Sequence, residues 1–161
     1  MTYAFNCRTR VDAVPVSAHR RPVQLVLWAD SGHGGHRSEG AGQGRDFTDS
    51  SPPDARSQVH AERRGYDLSD LRARQITDAD FTQYDLILVM DWDNLALVQD
   101  ECPPEHMGKV RRLTEFCLTH DAPVVPDPYH GGAGGFDHVL DLVEDACDGL
   151  VRHVKHKIAA A

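Results

Sequence analysis

Asp85-Leu86-Ile87-Leu88-Val89-Met90-Asp91 is an unbroken apolar run closed at each end by an aspartate. A strand with one wet face alternates apolar and polar residues. A run that is apolar at every position suits a strand covered on both faces, as in a parallel sheet. On either side of it the pattern turns helical. Thr77-Asp78-Ala79-Asp80-Phe81 opens a short helix, with Thr77 as its cap and Asp80 at the capping-box position. Residues 92–100 read as a helix on the other side. Strands alternating with helices imply an α/β domain. Ligand sites in such sheets lie at the carboxyl ends of the strands, which is where Asp91 falls.

Farther out, Pro52-Pro53-Asp54 and Gly65 bracket a helix over 54–64. Tyr66 to Gln75 is a connector. Val110 to Cys117 fits a strand or a helix, and Ala122 to Val125 reads as a second short buried strand. Phe136, Val139, Leu140, Val143, Cys147, Leu150, Val151 and Val154 recur at three- and four-residue steps. They predict one long final helix over about 136–156, after a flexible Gly131–Gly135 stretch. Val23 to Ala29 is a further candidate strand, whereas 30–51 reads as loop and 1–18 has neither period. No internal repeat is present.

A chain of 161 residues is one ordinary domain. Its formal net charge of −8 argues against a nucleic-acid partner, which calls for a basic face. No apolar run reaches the length of a membrane span, and the start has no secretory h-region. The four cysteines form no Cys-x2-Cys pair, so neither zinc nor a disulfide framework is expected. No metal or cofactor is called for, and a reducing cytoplasm is the simplest compartment. The charge is uneven. Residues 1–50 carry six Lys/Arg and five Asp/Glu, while 51–161 carry eleven and twenty. All three lysines lie in the second part, and six of the fourteen residues from Ser31 to Gly44 are glycine. The chain therefore divides into an atypical segment, 1–50, expected to be poorly ordered, and an α/β domain, 51–161.

Val124-Val125-Pro126-Asp127-Pro128-Tyr129 contains the candidate chemistry. Cleavage of an aryl phosphate ester needs a proton for the departing phenolate, and a positioned carboxylic acid supplies it. Prolines on both sides restrict the backbone at Asp127, and Tyr129 offers an aromatic wall. A plain Asp-Pro turn in solvent has the same sequence.

Gly65-Tyr66-Asp67-Leu68-Ser69, Ala73-Arg74-Gln75-Ile76, Tyr84 to Asp91 with Asn94-Leu95, and Val125 to Tyr129 with Gly131 and Phe136 occur in one order and spacing. In these segments the chain, from about Ser51 onward, resembles the low-molecular-weight protein tyrosine phosphatases. The resemblance implies a three-layer domain around a four-stranded parallel sheet. It also implies hydrolysis of phosphotyrosine, or of a small aryl phosphate, through a cysteinyl-phosphate without metal. By the same resemblance Asp127 is the general acid and Tyr129 the aromatic wall. Asp91 lies near the active-site floor, although a structural role at a strand end suits it equally.

The family also requires a Cys-x5-Arg phosphate loop after its first strand, and this chain has none. Six residues after Cys7, Cys102, Cys117 and Cys147 stand Ala13, Gly108, Pro123 and His153. Such a loop combines a thiolate of lowered pKa, backbone N–H groups at a helix start and a bidentate arginine. Asn6-Cys7-Arg8-Thr9-Arg10 is too short to wrap a phosphate. Ser31 and Arg37 have the required offset, but Glu39 to Gly44 cannot easily start a helix after them. His33 and His36 have no further metal ligand placed nearby. A stretch rich in Arg, Gly, His and Ser is what a GC-rich gene gives when read out of register. Residues from about 4 to 50 are therefore expected to derive from a frame-shifted start. The nucleophile is not identifiable, and the chain is expected to be impaired as a phosphatase. The alternative is a pseudophosphatase that binds phosphate or phosphotyrosine without turnover.

Overall fold

The structure, a computed structural model, describes residues 25–28, 52–72, 76–128 and 133–160, with residues 25–28 and Ala133 described by backbone alone. Strand β1 is Leu25–Trp28, helix α1 Ala55–Arg63, helix α2 Asp78–Gln83, strand β2 Leu86–Val89 and helix α3 Trp92–Glu101. A 3-10 turn over Pro104–Lys109 leads into strand β3, Val110–Arg112, and a second covers Leu113–Phe116. Helix α4, Ala133–Ala159, closes the fold.

Both β1 and β3 pair in parallel with β2, which lies between them. Leu25 stands opposite Leu86, and Ile87 opposite Val110. The central position explains the unbroken apolar run. Leu86, Leu88 and Met90 pack into one cluster with Leu142, Val143 and Leu150 of α4. Ile87 and Val89 pack into another with Phe81 of α2 and Val98 of α3. Successive side chains leave a strand on opposite faces, so each face needs apolar cover. Helix α1 joins the α4 side, where Ala61 meets Leu140. These contacts make the three layers expected from the sequence.

Helix boundaries follow local chemistry. Asp54 accepts the Arg56 N–H at 2.8 Å at the start of α1, and Gly65, at φ 84°, follows its end. Thr77 donates its N–H and its hydroxyl to Asp80 at 2.8 and 3.1 Å, which is the predicted capping-box pairing.

Two expectations are corrected. Residues 122–125 form no strand. Val125 makes a single ladder-like bond, from its N–H to the Met90 carbonyl at 2.8 Å. Pro123 and Pro126 have no N–H to extend it. The ambiguous stretch 110–117 resolves into β3 followed by a 3-10 turn. The final helix begins at Ala133, so Gly134 and Gly135 belong to it. The expectations for residues 1–24 and 29–50 lie outside the described residues. Among the described residues, no helix is long and apolar enough to cross a membrane.

Candidate active site

Segment 123–128 lies at the carboxyl end of β2 and is held from three directions. Val125 bonds to Met90, the residue after β2. The Pro123 carbonyl accepts from the Arg112 guanidinium and, at 3.2 Å, from the Thr114 hydroxyl. Pro128 is buried, and its Cβ lies 3.4 Å from where a side chain on Gly135 would begin. Between these anchors Asp127 is exposed. The result is an accessible carboxyl on a backbone fixed before and after it. A general acid needs both properties, because it must exchange protons with water and still meet one atom of the substrate.

Asp91 is the N-cap of α3, and its carboxylate accepts the Asn94 N–H at 2.7 Å. That bond fixes the turn from β2 into α3. The next residue, Trp92, is 55% exposed, and the Arg112 guanidinium stacks 3.7 Å from its ring centroid. Arg112 also donates its own backbone N–H to Glu115 at 3.0 Å. Neither Trp92 nor Arg112 stands out in the sequence as a site residue. The available signal was the position of Trp92 directly after the strand-end aspartate. Tyr129, the Ala73-Arg74-Gln75 segment, Cys7 and the Ser31–Ser38 stretch lie outside the described residues.

The described free thiols, Cys102 and Cys117, are shifted toward the protonated form. Burial pushes the Cys102 thiol up, and Glu105 adds to this. Burial likewise raises Cys117, with the Asp145 carboxylate beside it. Both are free cysteines kept in the protonated, unreactive form. Cys147 is buried in the α4 cluster and is disulfide-bonded, contrary to the expectation of no disulfide. Among the described residues, no cluster of three or more His, Cys, Asp or Glu could hold a metal ion.

A second aspartate shows what a structural carboxylate looks like in this fold. Asp145, on α4, accepts the N–H groups of Leu118, Thr119 and His120 at 3.0, 3.0 and 2.9 Å. The His120 ring nitrogen lies 3.1 Å away. Burial works to raise its pKa, but the Thr119 and His120 donors outweigh it and hold the carboxyl far below the ordinary range.

The family model for the low molecular weight phosphotyrosine protein phosphatases matches residues 27–160. The chain belongs to that family. Its match begins inside β1, ahead of Ser51, and the matched span contains no Cys-x5-Arg. The chain is 44% identical to the Synechocystis sp. protein slr0328 over 101 residues, which are 62% of this chain and 63% of that one. It is 34% identical over 138 residues to a Streptomyces coelicolor low molecular weight protein-tyrosine-phosphatase, covering 83% of this chain and 76% of that relative. Among solved structures, the protein tyrosine phosphatase of Entamoeba histolytica superposes with a TM-score of 0.66 at 33% identity, over 69% of this chain and 70% of that one. The aligned region thus spans under two thirds of the Synechocystis relative's own length.

Proposed function

We propose that this chain carries the leaving-group half of a phosphotyrosine-hydrolysing site and lacks the nucleophile half. The observation that carries the reading is segment 123–128, an anchored backbone presenting an exposed Asp127 at the carboxyl end of β2. In the complete reaction a cysteine thiolate attacks phosphorus and the P–O bond to the aryl group breaks. Asp127 gives its proton to the departing phenolate oxygen. Water then hydrolyses the cysteinyl-phosphate, with the same carboxylate taking a proton back. Asp91 serves as the cap that holds the end of β2 beneath this segment, and Tyr129 forms the aromatic wall. The partner class is a phosphotyrosine protein or a small aryl phosphate.

The first step has no agent here. No cysteine precedes an arginine by six residues, and the described free thiols have raised pKa values. The purified chain should therefore leave p-nitrophenyl phosphate unhydrolysed. The genomic DNA upstream of Ser51 should encode a Cys-x5-Arg loop in an alternative frame, and a chain built from that frame should be active. In that restored chain, Asp127→Asn should lower kcat by about 10²–10⁴. The loss should be greater for phenyl phosphate than for p-nitrophenyl phosphate, whose more acidic phenol leaves with less help. An Asp127→Asn effect equal for both substrates would remove Asp127 from the role of proton donor.

A further inference from the structure

Arg112 joins three elements that the sequence keeps apart. Its guanidinium lies over the Trp92 ring at 3.7 Å, at the start of α3. It donates to the Pro123 carbonyl, at the head of the segment carrying Asp127. Its backbone sits at the end of β3, and its side chain approaches Glu115 at 3.8 Å. Only 18% of that side chain is accessible, so the charge is largely removed from water and its few partners matter more. A cation over an indole face is the strongest of the cation–π pairs. A guanidinium can stack and donate in its own plane at the same time, so one group can hold both partners.

Pro123, Pro126 and Pro128 donate no N–H, and Val125 ties the segment by its N–H to the carbonyl of Met90, the residue after β2. We infer that Arg112 is a positioning residue: by joining Trp92 to Pro123, it sets where the Asp127 segment lies across the end of β2. This rests on the reading of Asp127 as the proton donor. Trp92 then provides a rigid platform, because the Asp91 cap fixes the helix turn from which it projects.

The test uses the full chain and does not need turnover. Amide exchange of Val125 is followed by NMR in Arg112→Met and Arg112→Lys, with the amides of Leu88 and Leu142 as references for global opening. Methionine keeps apolar cover on the indole but has neither charge nor donor. Lysine keeps both. Val125 exchange should quicken about tenfold in Arg112→Met, as for loss of a hydrogen bond from a charged donor. It should quicken less in Arg112→Lys, which keeps a charge and a donor but not the planar group that stacks and donates at once. Leu88 and Leu142 should be unchanged in both. The Trp92 indole N–H resonance, assigned by its loss in Trp92→Phe, should shift in Arg112→Met. Equal protection of Val125 in all three proteins, or a loss shared by Leu88 and Leu142, would overturn the inference. Either result would leave the Asp127 reading to its own leaving-group test.

Discussion

Two neighbouring stretches of this chain, 117–120 and 123–128, are held by opposite chemistry. The first is pinned by one carboxylate. Asp145 receives three consecutive backbone N–H groups and a histidine ring, and so has no proton to give. The second is pinned through its backbone, by Arg112, Thr114 and Met90, while its own aspartate is exposed. A carboxylate surrounded by donors is a structural staple whose ionised form is locked in. The second stretch is instead held by groups on other elements. The two stretches should therefore respond differently to substitution.

The largest effect should come from the close packing beside the first stretch. Gly149 of α4 sits so near the second 3-10 turn that an added Cβ would lie 1.8 Å from the Phe116 carbonyl oxygen. Gly149→Ala must push the helix off that turn, at about 3 kcal/mol, the upper part of the usual overpacking range. Urea unfolding would measure it, and a loss below about 1 kcal/mol would mean that the approach is looser than described. Asp145→Ala should cost somewhat less, about 2 kcal/mol, because water can reach the freed amides of the exposed residues 118–120.

Acid should then separate the contributions by pH. Burial and the neighbouring cations Lys157, Arg111 and His156 lower the His153 pKa below its ordinary value, and the ring packs edge-on against Phe116. The unfolded chain binds a proton at this residue near ~6.5 while the folded chain resists it. Stability should thus be intact above that pH and decline as pH falls below it, until the folded ring also protonates. Asp145 is depressed in the folded state, so its contribution persists above ~3.9 and is lost only as pH falls farther. Melting curves of the parent and His153→Gln should diverge first, in the mildly acidic range. Melting curves of Asp145→Asn should converge on the parent only in strong acid. A parent curve flat from neutral pH down to ~4 would contradict the His153 assignment.

The smallest effect belongs to the second stretch. Asp127→Asn should change stability by less than about 0.5 kcal/mol, as expected for an exposed side chain. A loss approaching that of Asp145→Ala would erase the distinction between the two stretches.

The legibility of the chain follows the same division. The Leu86–Val89 run, the α4 stripe and the Thr77–Asp80 cap were readable because each depends on neighbours within one element. The strand expected at 122–125 failed because an apolar run was weighed above the two prolines that bar a ladder. The seat of Asp127 was half legible. The flanking prolines announced a fixed backbone, but the Arg112 brace joins residues eleven positions apart and has no periodic signature. Asp145 was missed because an apolar stripe says nothing of polar positions, and its amide partners lie 25 to 27 residues away. The absence of a Cys-x5-Arg run was legible outright, since such a run is either written or not.

That absence is measured most directly by the first turnover. On rapid mixing of the purified chain with excess p-nitrophenyl phosphate, a working thiolate releases about one equivalent of p-nitrophenolate as the cysteinyl-phosphate forms. No burst is expected, no steady release above buffer, and no difference between the parent, Cys7→Ser and Asp127→Asn. A stoichiometric burst that vanishes in Cys7→Ser would show that the chain holds a nucleophile after all.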